Sequence, residues 1–151
     1  MEDLREIAGS LGLQDPRTHI ASGNLLFRSS KREATLKRML ESAIAAHMSA
    51  SVGVMIRTSD ELAEATKANP FASHPANRVV AIFLDAAPPT DALEQARNVA
   101  DEQMASGRRE IYILYPSGQA RSKLRIPAAA AGTARNMNTV AKLAQLSREK
   151  S

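Results

Sequence analysis

The sequence predicts an α+β protein, and three observations lead to that class. Apolar residues recur at helical spacing in some stretches and alternate or run together in others. Helical and strand-like stretches follow one another along the whole chain, with no linker rich in Pro, Gly or Ser between them. The 151 residues suffice for one good core or for two small subdomains that share one.

The helices are predicted from apolar periodicity. The clearest lies between Lys31 and Met48, where apolar positions follow an i, i+3, i+4, i+7 pattern and charged residues occupy the other face. Ser59 precedes two acidic residues and therefore predicts the N-cap of a further helix, which stops before Asn69-Pro70. Other helices are expected over 2–11, 90–104 and 140–146.

The strands are predicted from shorter apolar runs. The run Val79–Leu84 is rich in β-branched residues and is consistent with a strand buried on both faces. The turn Ser22-Gly23-Asn24 lies between two strand-like runs and favours a hairpin, because Gly and Asn readily adopt positive φ angles. The remaining strands are expected over 17–20, 25–28, 52–56 and 110–115.

Charge is distributed unevenly along the chain. Residues 1–107 carry eleven Lys and Arg against fourteen Asp and Glu, whereas residues 108–151 carry nine against two. A basic C-terminal third attracts an anionic partner, and nucleic acid, phosphorylated metabolites and acidic proteins are all eligible. A solvated charged surface explains the same excess equally well.

The composition argues against several classes of function. The chain has no Cys, which removes disulfides and thiolate metal sites, and its three His residues show no metal-ligand spacing, so we expect no metal and no cofactor. The absence of a signal-like N-terminus and of any long apolar run predicts a cytoplasmic protein with no membrane span. Aromatic residues make up 3% of the chain, which disfavours single-stranded nucleic acid as a ligand.

The most concentrated polar run lies just before the last predicted helix. It contains Thr133, Arg135, Asn136, Asn138 and Thr139 within seven residues. Free backbone N–H groups and the helix dipole favour an anion at such a position, and arginine offers a two-pronged donor to phosphate or carboxylate. The alternative is local: Asn138 or Thr139 caps the helix while Arg135 satisfies neighbouring carbonyl groups.

Two other segments are candidates for the same anion site. Arg121, Ser122 and Lys123 would enlarge it if the intervening turn folds back, although an exposed charged loop needs no function. Ser22 and Asn24 flank a glycine whose turn would present backbone amides to a ligand, or would simply close a hairpin.

These residues favour a binding module for an anionic, phosphorylated ligand. An enzyme acting on a phosphorylated small molecule is the alternative, and a nucleic-acid-binding protein is the second alternative. The sequence contains neither a Gly-x-Ser-x-Gly motif nor a phosphate-binding glycine loop, and it identifies no general base, so any catalytic residues are unknown.

The order of several motifs resembles the bacterial domain of unknown function family 1697. The matching segments are Arg17–Phe27, Arg57-Thr58, Asn69-Pro70-Phe71, Ser122-Lys123-Leu124 and Thr133–Val140. The resemblance implies a cytosolic α+β protein with a ferredoxin-like part over residues 1–58 and a second, smaller α/β subdomain over 59–151. It implies no activity, because the family has none established.

The chain also departs from the family pattern. The family normally opens with a hydrophobic strand and an Arg-Gly-Ile-Asn-Val-Gly-like turn, whereas this chain begins at the following helix. Without a replacement, the neighbouring strands would lack ladder partners, so we expect a fragment, a misplaced start codon, or a strand donated by a partner. A homo-oligomer formed through the exposed strand edge is one such arrangement. Met137 stands where the family usually has Trp, and we expect it to fill an apolar gap.

Overall fold

The computed structural model describes residues 2–18, 23–49 and 53–149. It contains four α-helices and six β-strands in this part of the chain. In chain order these are α1 (Glu2–Ser10), β1 (Gln14–Thr18), β2 (Leu25–Arg28), α2 (Glu33–Met48), α3 (Ser59–Lys67), β3 (Val79–Phe83), β4 (Gln103–Ser106), β5 (Glu110–Leu114), β6 (Thr133–Asn136) and α4 (Met137–Glu149). Short 3-10 turns lie at Ala76–Arg78, Gln119–Arg121 and Pro127–Ala129. The α+β class predicted from the sequence is confirmed.

The first part of the fold is a hairpin covered by two helices. Strands β1 and β2 pair antiparallel, with Arg17 opposite Leu26. Helix α2 buries Leu36, Leu40 and Ile44, the periodic positions of the sequence, against α1 and the hairpin. The predicted helix and hairpin are therefore present, and β1 begins earlier than expected, at Gln14.

The second part is a four-stranded antiparallel sheet in the order β4-β5-β3-β6. Strand β5 is buried along its whole length, and β3 is buried at four of its five positions. One face of the sheet packs against α3 and α4, and the other packs against the loops that follow β3 and β5. The two-faced burial predicted for Val79–Leu84 is therefore confirmed.

The helix predicted over 90–104 is wrong. Residues 90–95 form turns, and the chain from Gln103 to Ser106 is strand β4. Two backbone features prevent a helix: Asn98 has a φ of 58°, and Arg97 exchanges backbone hydrogen bonds of 2.7 and 3.0 Å with Arg125. The apolar spacing that suggested a helix instead reflects burial of Ala92 and partial burial of Met104 on the same core.

Two further boundaries differ from the sequence predictions. Thr133–Asn136, expected as irregular chain before a helix, is strand β6, and α4 starts at once at Met137 rather than at Val140. The strand predicted over 52–56 is also wrong for its described part, because residues 53–57 take part in no strand ladder. Val54 and Ile56 nevertheless pack toward the core of α1 and α2, and Met55 packs toward the core of the large sheet.

The two parts are joined by a polar network at the start of α2 and α3. Arg109 donates to Glu33 at 2.9 and 3.1 Å and to Glu61 at 2.7 Å. Thr58 and Glu61 form a capping box at the N-terminus of α3, which fixes the Glu61 side chain beside Arg109. The hairpin part and the sheet part of the fold therefore meet through charge-assisted hydrogen bonds.

Candidate ligand-binding groove

A groove of about 1030 Å³ lies between the hairpin, helix α2, the segment 53–59 and the edge of the large sheet. Half of the residues that line it are apolar. Five Lys and Arg residues line it against two acids, Asp15 and Glu33. The cations are Arg17, Arg28, Lys31, Arg57 and Arg135. A concave surface with a positive excess is suited to an anionic ligand that also has an apolar part.

Arg17 reaches the groove because of the hairpin register. Arg17 and its cross-strand partner Leu26 lie on one face of the hairpin. Leu25 and Phe27 lie on the other face, where they contact α1 and α2. The face that carries Arg17 is turned toward α4, where Arg17 Nη2 donates to the carbonyl oxygen of Leu146 at 3.1 Å. The Nε atom of Arg17 is buried and has no hydrogen-bond partner within residues 2–18, 23–49 and 53–149.

Arg135 is brought to the same end of the hairpin by strand β6. Its Nε donates to Asn24 Oδ1 at 2.8 Å, its Nη2 to the Gly23 carbonyl oxygen at 3.3 Å, and its Nη1 to its own neighbour Ala134 at 2.8 Å. Burial lowers the pKa of Arg135 from its ordinary value. Asn24 is 7% exposed. The structure therefore joins two predicted site residues that are 111 positions apart.

The other residues of the predicted polar run have different surroundings. Asn136 Oδ1 accepts the Thr139 N–H at 3.0 Å, so Asn136 is the N-cap of α4. Thr133 lines the groove, and Asn138 is exposed on the first turn of the helix. Met137 is 3% exposed in the core of the sheet, as expected of an apolar filler at this position.

Arg121, Ser122 and Lys123 are not brought to this groove. The Ser122 hydroxyl donates to Glu102 Oε2, next to strand β4, and Arg121 and Lys123 are exposed. Strand β4 and strand β6 lie at opposite edges of the sheet. The enlargement of the site predicted from these three residues therefore does not occur in this fold, because the turn after β5 passes β4 and not β6.

Ser22, the remaining predicted site residue, lies outside the described residues. Across the described ranges 2–18, 23–49 and 53–149, no group of three His, Cys, Asp or Glu side chains could hold a metal ion. No helix in that part of the chain is long and apolar enough to cross a membrane.

Arg57 was not among the predicted site residues, although it forms a wall of the groove. Its side chain is 5% exposed and lies 5.3 Å from the centroid of the Phe83 ring. Its Nη2 donates to the carbonyl oxygens of Leu84 at 2.7 Å and Arg109 at 3.1 Å. Burial lowers the pKa of Arg57, and the charge of Arg109 lowers it further, while Glu110 at 3.6 Å opposes both. Arg57 therefore serves mainly to join the two parts of the fold.

A family model described as a protein of unknown function, DUF1697, matches residues 1–112. The chain belongs to this family. Among solved structures, this DUF1697 chain is similar to a conserved bacterial protein, SP0830 from Streptococcus pneumoniae, with a TM-score of 0.75 and 23% sequence identity. The match covers 98% of this chain and 88% of the other, and it shows a shared fold. No curated protein matches the chain.

Proposed function

We propose that this protein binds an anionic, phosphorylated ligand at the end of the groove where the hairpin meets α4 and β6. The ligand is held by Arg17 and Arg135, with Asn24 setting the position of Arg135. This set keeps Arg135 and Asn24 from the residues predicted from the sequence and adds Arg17, which was not among them. Asn136 is left out because it caps α4, and residues 121–123 are left out because they lie beside another edge of the sheet.

The observation that supports the proposal is the buried Nε of Arg17, which has no hydrogen-bond partner among the residues that the structure describes. Buried donors in proteins are nearly always paired, and an unpaired one costs about 1–3 kcal/mol. An anionic oxygen in the groove would remove that cost. It would also face a guanidinium, a donor that forms strong, charge-assisted hydrogen bonds with phosphate.

The charges around the groove support an anion over a neutral ligand. Arg28 lies 3.8 Å from Asp15, so this acid of the lining already faces a cation. Glu33, the other acid, is bound to Arg109. Arg135 adds a further cation to the lining of the groove. The groove thus keeps a positive excess at the end where Arg17 and Arg135 lie.

The test is a thermal-shift titration with inorganic phosphate, adenosine monophosphate, glucose 6-phosphate and a short single-stranded RNA. A ligand at a hundred times its Kd stabilises the folded state by about 2.7 kcal/mol, which gives a clear shift. We expect at least one phosphorylated probe to stabilise the wild type and to lose at least tenfold in affinity in Arg17→Met and in Arg135→Met.

The matched control is Arg121→Met, which removes an exposed cation from the same basic third of the chain. It should leave the affinity unchanged. Equal affinity in the wild type and in both groove variants would contradict the proposal. Stabilisation by RNA alone, with affinity that falls steeply with salt, would favour the nucleic-acid alternative, and turnover of a phosphorylated probe would favour the enzyme.

A further inference from the structure

A surface outside the groove holds two arginines side by side. The Arg97 N–H donates to the Arg125 carbonyl oxygen at 2.7 Å, and the Arg125 N–H donates to the Arg97 carbonyl oxygen at 3.0 Å. Residues that pair in this antiparallel way have Cα atoms about 5.5 Å apart and side chains on the same face. The two guanidinium groups are therefore neighbours on one face of the protein.

Lys123 lies on the same face as Arg125. The backbone is extended at Ser122 and at Ile126, and successive side chains of an extended chain point to opposite faces. Leu124 and Ile126 pack toward the core of the sheet, whereas Lys123 and Arg125 are exposed. Lys123 and Arg125 are about 7 Å apart along the chain, as the rise of an extended backbone requires.

Arg97, Lys123 and Arg125 together form a basic surface. Arg97 is exposed like the other two. In the part of the chain that the structure describes, none of the three side chains takes part in an ion pair or a hydrogen bond. Like charges directly opposite each other destabilise a pair of strands, and an anion bound between them would offset that cost. The basic surface is therefore suited to an anionic partner.

The acids that follow Arg97 in the chain are held away from this surface. The carboxylate of Glu102 is buried, and it accepts hydrogen bonds from the Ala100 N–H and from the Ser122 hydroxyl. Asp101 accepts a hydrogen bond from a serine hydroxyl on the loop after β5. Glu102 therefore joins the two backbone segments that carry the three cations, and it does so without neutralising them.

The aromatic residues indicate which kind of polyanion fits. The chain has three Phe, two Tyr and no Trp. None of the five aromatic side chains is exposed, and both tyrosines are buried. Proteins that bind single-stranded nucleic acid stack its bases on exposed aromatic rings, whereas a duplex is held through its phosphates. The basic surface therefore favours a duplex over a single strand.

We propose that Arg97, Lys123 and Arg125 bind the phosphate backbone of a double-stranded nucleic acid. A DNA duplex carries one negative charge per about 1.7 Å of its axis, so its phosphates meet three closely spaced cations in any register. An acidic protein would need carboxylates at matching positions. Arginine donates two hydrogen bonds to one phosphate, and phosphate contacts position a protein without reading the base sequence. None of the three residues lines the groove, so this proposal does not rest on the function proposed there.

The experiment is fluorescence anisotropy with a labelled DNA duplex of about two helical turns, repeated at several salt concentrations. Three phosphate contacts predict that the affinity falls about fortyfold between about 50 and about 200 mM salt. Lys123→Gln and Arg97→Gln each remove one contact, so the fall in each variant should be about twelvefold. A duplex of unrelated sequence should bind with the same Kd. Absence of duplex binding at about 50 mM salt, or an unchanged salt dependence in both variants, would overturn the proposal.

Arg108→Gln and Lys142→Gln are the matched controls, because both residues are exposed cations of the same basic C-terminal third. Arg108 lies in the turn between β4 and β5, at the end of these strands away from Arg97. Both controls should keep the affinity within about twofold of the wild type and should keep its salt dependence. The groove variant Arg17→Met should keep them too, so the two proposals fail independently.

Competing ligands test the kind of partner. Tighter binding of a single strand of the same sequence would overturn the assignment to a duplex. Tighter binding of polyglutamate, with the same dependence on Lys123, would overturn it in favour of an acidic protein. An RNA duplex is tested in parallel, and the tighter of the two duplexes identifies the source of the phosphates. Urea unfolding should show the same midpoint for all variants, because each replaced side chain is exposed.

Discussion

Arg109 binds the carboxylate of Glu33 through two hydrogen bonds, Nη1 to Oε2 at 2.9 Å and Nη2 to Oε1 at 3.1 Å. The two residues are 76 positions apart and belong to different parts of the fold. The hydrogen bonds to Glu33 raise the pKa of Arg109 above its ordinary value, and Glu61 adds to this effect against the cost of burial. This contact holds the start of α2 against the end of the large sheet.

Replacing Arg109 with Lys should therefore weaken the junction while keeping the charge. A single ammonium cannot reproduce the planar two-pronged donor, so we expect a loss of about 1–3 kcal/mol in the free energy of unfolding by urea. The control is Arg148→Lys, whose contact with Asp60 spans 3.9 Å on the surface and should be worth less than about 1 kcal/mol. Equal losses in the two variants would show that the geometry of Arg109 is unimportant.

Tyr112 should make stability depend on alkaline pH. Its hydroxyl donates to the Ala65 carbonyl oxygen at 2.7 Å, and burial, with a smaller effect of Glu110, raises its pKa to about 12. In the unfolded chain the pKa is about 10, so up to that pH both states keep the proton. Between about pH 10 and about 12 the unfolded state loses its proton first, and stability falls as pH rises.

The variant Tyr112→Phe tests this dependence. It should lower the free energy of unfolding by about 1 kcal/mol at neutral pH, because the Ala65 carbonyl loses its partner. Urea unfolding repeated at about pH 8 and about pH 11 should show a smaller decline for the variant than for the wild type. Equal declines in the free energy of unfolding of the two proteins would show that other groups cause the alkaline sensitivity. Tyr115 is one such group, because burial also raises its pKa.

Gly132 should tolerate no side chain, because β6 follows it directly along the edge of β3. A Cβ atom there would lie 2.6 Å from Ile82 Cγ2 and 2.9 Å from the Phe83 carbonyl oxygen. We expect Gly132→Ala to cost about 1–3 kcal/mol in thermal or urea unfolding. In Gly9→Ala the new methyl meets no atom within 4 Å in helix α1, so this control should stabilise the protein by about 0.5–1 kcal/mol.

Asn136 should matter as a helix cap. Asn136→Ala removes the acceptor for the Thr139 N–H and should cost about 1 kcal/mol in urea unfolding. Asn136→Asp keeps an acceptor and complements the helix dipole, so its stability should match that of the wild type. Asn138→Ala, on the exposed first turn, should change stability by less than about 0.5 kcal/mol. A larger loss for Asn138 than for Asn136 would reverse the assignment of the cap.

The parts of the fold that the sequence predicts well are those fixed by local chemistry. Helix α2 follows from the spacing of Leu36, Leu40 and Ile44, and β3 follows from an uninterrupted β-branched run. The start of α3 is predicted from Ser59 followed by two acids, but Ser59 is wrong as the N-cap, because the cap is Thr58, one residue earlier. Each of these signals is contained within a few turns or residues.

The parts that were missed depend on contacts between distant segments. The backbone pairing of Arg97 with Arg125 prevents a helix over 90–104. No local sequence pattern predicts this pairing. The candidate site shows the same division: the sequence singled out Arg135 and Asn24 separately, but only the fold brings them together. Arg17 belongs to a motif of the sequence, whereas the burial of its Nε depends on how the hairpin packs against α4.

The position of β6 has a consequence for synthesis of the chain. Strand β3 pairs with β5 on one edge and with β6 on the other, and β6 is drawn from Thr133–Asn136, near the end of the sequence. A nascent chain in which β3 and β5 have already paired therefore displays an unpaired, apolar strand edge until residues 133–136 have emerged. Off-pathway pairing between chains is most favourable during that interval.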